Sequence, residues 1–319
     1  MDRDCNATLS SFLSDEPCLT VRRAVPVSTL TSIGIGGNAA RVLSPRDGGC
    51  MIRLLDRLVK GNAPFRVIGK GTNLIGPDAG YDGILVRTAG IDRISVSGST
   101  LVSGAGVPLG RAIRRAMEAG LSGLEELYGI PGTVGGALYM NAGAYGRTVS
   151  DRLRYATVYR SDSGEVTVKT PAQLGFGYRT GAIKTGGMIV LSAAFDLTPA
   201  DPAVIAEKMN GVLEKRRATQ PLSQPSAGSA FLRPSPDLPV GKLIADAGCA
   251  GMTEGGAAVS TLHAGFIVNT GGATESDVRR LLERVKERVA ERFGVILVPE
   301  IEFLSDLGAY GSPQQTKIT

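Results

Sequence analysis

The chain contains no tryptophan and one histidine, His263, and its aromatic residues make up only 5% of the total. Proteins that bind single-stranded nucleic acid stack bases on aromatic side chains along a basic groove. This sequence has few such side chains, and its net charge of +5 is spread along the chain without a basic block. No nucleic-acid partner is expected, and the mild positive balance suits a small anionic ligand. The four cysteines, Cys5, Cys18, Cys50 and Cys249, are far apart and form no C-x-x-C pair. With a single histidine beside them, no Cys/His metal site is expected. No stretch approaches the ~18–20 apolar residues of a membrane span, so no membrane insertion is expected. Met1–Pro17 carries Asp2, Asp4, Asp15 and Glu16 and lacks the apolar core of a signal peptide. Read as free thiols in a chain without an export signal, the cysteines point to the cytoplasm.

Glycine is abundant, with 43 of 319 residues and no period. The glycines sit between hydrophobic runs, where they supply tight turns and close approach of backbone to a ligand. Apolar periodicity predicts a helix over Asp47–Lys60, with Met51, Leu54, Leu55 and Leu58 on one face, and a buried strand at Phe65–Ile68. Strands follow at Gly83–Arg87, Arg93–Val96 and Thr100–Ser103. A helix over Pro108–Gly120 turns Arg111, Arg114 and Arg115 to solvent. Further strands are expected at Tyr155–Arg160, Val166–Lys169 and Met188–Leu197, and Leu197–Pro202 reads as a linker. Helices follow at Ala203–Arg217 and Val240–Ala247. A long helix begins at the Thr274/Asp277 capping pair, carries a stripe from Val278 to Phe293, and stops at Gly294. Val295–Phe303 reads as a final strand and Ser305–Thr319 as a polar tail. The fold class is α+β, with a strand- and glycine-rich part to about residue 200 and a smaller α/β part beyond.

Neither standard nucleotide fingerprint is present. Gly69-Lys70-Gly71-Thr72-Asn73 follows a strand but lacks the third glycine and the helix of a dinucleotide motif, and no G-x-x-x-x-G-K-[ST] occurs. Successive backbone N–H groups in a glycine turn still form an anion-binding concavity. Gly69–Asn73 can act so, with Thr72 and Asn73 adding side-chain donors. Gly132, Thr133, Gly135, Gly136, Ala142 and Gly143 can clamp the same ligand from another loop. Each segment alone reads as a hairpin turn, whereas together they indicate a phosphate-bearing cofactor.

Those residues, with others in the same order, resemble the UDP-N-acetylenolpyruvoylglucosamine reductase family over about residues 20–304. The matching segments include Thr31–Gly37, Gly69–Asn73, Gly120–Glu125, Gly129–Ala137 and Asn141–Gly146. Beyond them come Gln220-Pro221, Pro225–Phe231, Gly241–Ile244, Gly255–Ala257, His263–Asn269 and Pro299-Glu300. The resemblance implies an FAD-binding domain of the PCMH type, made of two α/β subdomains, followed by a smaller α/β substrate-binding domain. Placed on this chain, residues 1–20 form a polar lead-in and 21–200 the FAD-binding domain, in subdomains of about 21–90 and 91–200. Residues 201–304 form the substrate domain and 305–319 a flexible tail. The short spacing between Arg179 and Ser229 resembles the compact form of the family.

The implied reaction belongs to peptidoglycan precursor synthesis. UDP-N-acetylglucosamine enolpyruvate becomes UDP-N-acetylmuramate, with NADPH as reductant and FAD carrying the hydride. The resemblance makes Ser229 the proton donor, and assigns Arg179 and Glu300 to the charge that develops on the pyruvyl group. Tyr178, Gln220, Ser226, Arg233, Lys242 and His263 are expected to meet the substrate, His263 in a positioning or structural role. Leu232 stands where many members carry lysine or another polar residue, Gly265 where asparagine is common, and Thr72 where serine is usual. A monomer or weak oligomer is expected. Two rivals remain: another FAD-dependent oxidoreductase of the same flavin fold, and a nucleotide-binding protein without catalysis.

Overall fold

The structure, a computed structural model, describes residues 16–310. The first layer is a four-stranded sheet of β1 (Leu19–Pro26), β2 (Asn38–Pro45), β3 (Phe65–Ile68) and β5 (Tyr81–Arg87), in the order β1-β2-β5-β3. The short β4 (Leu74–Ile75) lies between β3 and β5 in sequence. β1 runs antiparallel to β2, while β2, β5 and β3 are parallel. Helix α1 (Gly48–Lys60) covers one face of this sheet because its apolar residues recur at helical spacing. Met51, Leu54, Leu55 and Leu58 are fully buried against Leu43, Phe65, Ile84 and Val86. Burying each such side chain contributes roughly 1.5–3 kcal/mol. Asp47 caps the helix by accepting the Cys50 N–H at 2.8 Å.

The register Leu19↔Pro45 brings the start of β1 beside the start of α1, and Cys18 and Cys50 are joined there by a disulfide. The expectation of free thiols is therefore corrected for this pair, and the thiol-based argument for a cytoplasmic location falls away. The adjacency is tertiary, across 32 residues, and nothing local in the sequence announces it. Arg53 and Glu16 form an ion pair at 2.8 Å beside the sulfurs. Cys249 is a free, buried thiol, and Cys5 lies outside the described residues. Among the described residues no helix is long and apolar enough to cross a membrane.

The second layer is a five-stranded antiparallel sheet formed by β6 (Ile94–Ser97), β7 (Thr100–Gly104), β8 (Leu153–Arg160), β9 (Val166–Lys169) and β10 (Met188–Asp196). Their order is β9-β8-β10-β7-β6. It packs on helices α2 (Leu109–Glu118) and α3 (Val134–Tyr139). The arginines of α2 point outward as expected: Arg111 pairs with Asp92, Arg115 with Glu118, and Arg114 donates to the Tyr128 hydroxyl. Helix α4 (Pro202–Thr219) sends Ile205 and Met209 into the core of this layer. By packing, the chain changes unit after Thr219 rather than at Leu197–Pro202.

The third unit is a small sheet of β11 (Ser226–Ser229), β12 (Thr253–Glu254), β13 (Ala257–Val259) and β14 (Phe266–Asn269), in the order β11-β14-β13-β12. Helix α5 (Val240–Asp246) and the long α6 (Glu275–Phe293) pack with it. Both halves of the Thr274/Asp277 capping box form, and Gly294 ends α6 at φ 67°. Two sequence expectations fail at the C-terminal end. Only Glu302–Phe303 of the apolar run forms a strand, β15, which pairs in parallel with β4. Residues 305–310 are not a loose tail: Tyr310 is buried, stacks 5.4 Å from Phe65 between ring centroids, and exchanges backbone hydrogen bonds with it.

Candidate active site

A cleft of about 1030 Å³ runs between the three units. The parallel strand β3 ends at its floor, and the Gly69–Asn73 loop follows immediately, at the carboxyl end of the strands where α/β sheets bind ligands. Gly71 has φ +62°, and a Cβ there would stand 2.1 Å from the Leu30 carbonyl oxygen. Only glycine fits this bend.

The second glycine loop faces the first. A Cβ on Gly69 would meet the Thr133 Oγ1 at 2.6 Å, and the Thr72 hydroxyl donates to the Pro131 carbonyl at 3.3 Å. Thr133 accepts the Gly136 N–H, which opens α3. Gly69, Lys70, Gly71, Thr72, Asn73, Gly132, Thr133, Gly135, Gly136, Ala142 and Gly143 all line the cleft. The side-chain donors of Thr72 and Asn73 differ from expectation. They are spent on protein carbonyls, Asn73 reaching the Glu300 carbonyl at 3.0 Å. The loop therefore offers a ligand its backbone and holds the neighbouring wall with its side chains.

The neighbouring wall carries Ser229, Arg179 and Glu300. Gly228, at φ +80°, and a register irregularity between Ser226 and Ser229 turn β11 at this point. The Ser229 hydroxyl donates to the Phe231 carbonyl at 3.2 Å. Glu300 is stitched next to this turn because its N–H donates to the Ala230 carbonyl at 2.9 Å. Arg179 reaches the same place from the second layer. Its Nε donates to Glu300 Oε1 at 2.8 Å, and its two terminal nitrogens donate to the carbonyls of Asn141 and Gly143.

Arg179 also holds a left-handed backbone, φ +56°, which is costly for a residue with a side chain and concentrates at functional sites. Burial pushes the Glu300 carboxyl above the usual carboxylate range, although the Arg179 contact and the more distant Lys184 pull it down. Desolvation wins, so the neutral acid is favoured more than in water.

Among the expected substrate contacts, Tyr178, Gln220, Ser226, Arg233 and His263 line the cleft. The Tyr178 hydroxyl accepts the Arg233 N–H at 3.2 Å and so links the second and third units. Lys242 is a correction. It does not line the cleft, its side chain is 71% exposed, and it pairs with Asp246 one turn along α5. His263 packs against Gly241 and Gly265, and its Nδ1 accepts the Gly265 N–H at 3.1 Å. Burial lowers its pKa, so it is neutral with the remaining proton on Nε2. A Cβ at Gly265 would come within 2.9 Å of that ring, which accounts for glycine at this position.

Sequence reasoning missed several lining residues. Tyr139, Glu302 and the nearby Lys184 form one set: Glu302 accepts from the Tyr139 hydroxyl and pairs with Lys184 at 2.9 Å. Arg216, in the last turn of α4, looks like a solvent-facing helix residue yet is buried against Gly129.

The cleft fits a flavin dinucleotide. Its volume is at the top of the usual range for ligand sites. Two glycine loops line it with backbone, the kind of surface that suits a pyrophosphate. Four residues that line it each carry a buried polar atom, Arg66 Nε, Thr88 Oγ1, Arg216 Nε and Gln220 Oε1, without a partner among the described residues. Buried polar atoms are normally satisfied, so a ligand that supplies partners is indicated.

Comparison with known proteins agrees. Residues 39–169 match a family of FAD binding domains, and residues 220–304 match the C-terminal domain of UDP-N-acetylenolpyruvoylglucosamine reductase. The chain is 40% identical to that reductase from Caldicellulosiruptor bescii, across 88% of this chain and 90% of the relative. It is 39% identical to the reductase from Latilactobacillus sakei, across 93% and 97%. The crystal structure of the reductase from Thermus caldophilus superposes with a TM-score of 0.77 at 34% identity, covering 89% of this chain and 99% of that one. The chain belongs to the UDP-N-acetylenolpyruvoylglucosamine reductase (MurB) family and is an FAD-dependent oxidoreductase.

Proposed function

We propose that this enzyme reduces UDP-N-acetylglucosamine enolpyruvate to UDP-N-acetylmuramate, with NADPH as reductant and Ser229 as proton donor. The observation that carries the reading is the meeting of Ser229, Arg179 and Glu300 in a cleft beside a wall of glycine backbone. FAD, when bound, supplies the hydride. The residues of the chain do the rest.

Hydride addition to the enolpyruvyl double bond builds negative charge on the neighbouring carbon and on the carboxylate. Arg179 is the cation for that charge, since a guanidinium holds a carboxylate bidentately. Its donors are engaged by Glu300, Asn141 and Gly143 in the structure, so the substrate carboxylate must replace part of that set. Glu300, biased towards the neutral acid by burial, can donate to the developing anion instead of repelling it. Ser229 then delivers its proton to the carbon. A hydroxyl is a weak acid and acts only on a strongly basic carbanion within hydrogen-bond reach, which is why a constrained turn holds it. Its single weak bond to the Phe231 carbonyl leaves it free to reorient.

NADPH and the UDP-sugar would use the same cleft in turn. In an anaerobic cuvette, the flavin absorbance of the purified protein is expected to bleach with NADPH and return on adding the enolpyruvyl UDP-sugar. Bleaching without return would point to a different substrate. No flavin uptake would sink the reading.

A further inference from the structure

Glu300 shares its segment with a second acid. Alternation along Glu300-Ile301-Glu302 sends Ile301 into the core of the third unit and leaves both carboxylates on the cleft side. Asn73 fixes the two in place. Its side chain donates to the Glu300 carbonyl and its own carbonyl accepts the Glu302 N–H, each at 3.0 Å. Each acid meets its own cation from the second layer. Arg179 reaches Glu300 at 2.8 Å, and Lys184, in the short helical turn Ala182–Thr185, reaches Glu302 Oε1 at 2.9 Å.

The second pair is held from a third element. Glu302 Oε1 also accepts the Tyr139 hydroxyl at 3.3 Å, and the Lys184 ammonium lies 5.7 Å from the Tyr139 ring centroid. Burial raises the Tyr139 phenol far above its usual range, so the hydroxyl keeps its proton and remains a donor. The other ionisable groups acting on Tyr139 and Glu302 are Arg66 and Tyr310, whereas the cations acting on Glu300 are Arg179 and Lys184. A partly buried ion pair is weak evidence for stability, because desolvation offsets its attraction. Lysine is also a point charge on a flexible stem, and it moves towards the nearest acid unless held. Here one carboxylate and one phenol hold it within range of the acid that serves the reaction.

We propose that Lys184 is a positioning cation for the substrate-driven step, and that Glu302 with Tyr139 holds it off Glu300. The inference rests on the role given to Glu300 above. Without the ammonium, Glu300 keeps its proton to higher pH. Without the Glu302 charge, the ammonium is free to approach Glu300, which then ionises at lower pH. Glu302 acts only through the lysine.

Stopped-flow recovery of the flavin absorbance with the enolpyruvyl UDP-sugar, followed across a pH series, tests this. Protonated Glu300 is the working form, so the rate falls as pH rises through its pKa. Lys184→Met should move that basic limb upward. Glu302→Gln, which keeps an acceptor for Tyr139, should move it downward. Lys184→Arg keeps the charge and should leave the limb in place. In the Lys184→Met background, Glu302→Gln should add nothing. The bleaching step should keep its pH dependence throughout, and retained FAD with an unchanged melting temperature shows that each variant folds. A pair that only ties the units together would slow both single variants alike and move neither limb. Limbs that stay in place, or move in the same direction, would overturn the assignment and leave the reductase reading standing. No recovery in the unmodified protein at any pH would overturn that reading, and this inference with it.

Discussion

The two walls of the cleft are built on opposite principles. The wall from the first two layers is mostly backbone: glycines at Gly69, Gly71, Gly132 and Gly136 keep side chains out of the way. The wall around Ser229 and Glu300, joined by Arg179, is side-chain chemistry, with a half-buried Arg179–Glu300 contact at 2.8 Å and a carboxyl raised by desolvation. A backbone wall recognises a ligand shared by many enzymes. A side-chain wall selects a reaction. On the proposed reading binding and chemistry are separable, and substitutions on the two sides should fail differently.

The largest separation is expected at Arg179. Arg179→Met should leave FAD affinity within about threefold but slow the substrate-driven step by roughly 10²–10³, the usual loss for one electrostatic stabiliser. The same variant removes two influences that hold the Glu300 pKa down. Glu300 then stays protonated to higher pH, so the basic limb of that step should move upward in a stopped-flow pH series. A downward shift would mean that ionised Glu300 is the active form. At the backbone wall, Gly69→Ala places a Cβ 2.6 Å from the Thr133 Oγ1 and pushes the two loops apart. It should weaken FAD about a hundredfold by equilibrium titration while leaving the rate of the loaded enzyme nearly unchanged, as expected when ground and transition states lose equally.

Smaller effects lie away from both walls. Reducing the Cys18–Cys50 disulfide should lower stability by about 2–4 kcal/mol in denaturant titrations without altering either half-reaction. Thr274→Ala, which breaks the capping box of α6, should cost about 1 kcal/mol in the same titration. An effect of either change on the substrate step would show that the walls are less independent than their construction implies.

The contrast also explains what could be read from the chain alone. Local signals translated directly. The Met51–Leu58 stripe gave α1, the Thr274/Asp277 pair and Gly294 bounded α6, and the glycine loops lie where their strings suggested. Alternation without a partner misled. Val295–Val298 buries Leu297 and leaves Ile296 80% exposed, a strand-like pattern. Its backbone finds only isolated bonds, such as Leu232 N–H to the Val298 carbonyl, before β15.

Tertiary adjacencies were invisible to local reasoning. Cys18 met Cys50 only through the β1–β2 register, and Tyr310 was hidden in a polar end. Arg216 resembled any basic residue at a helix C-terminus. Ser229, Arg179 and Glu300 are individually unremarkable by type, and only the ordered series of family-like segments drew them together. Lys242, chosen by charge, went instead to Asp246.

The central claim is that Ser229 supplies a proton in one half-reaction and nothing to the other. Anaerobic stopped-flow absorbance on Ser229→Ala measures both. The account predicts NADPH bleaching within about twofold of the unmodified protein and substrate-driven recovery slowed by at least about 10²-fold. Equal loss in both half-reactions, or full recovery without the hydroxyl, would contradict it.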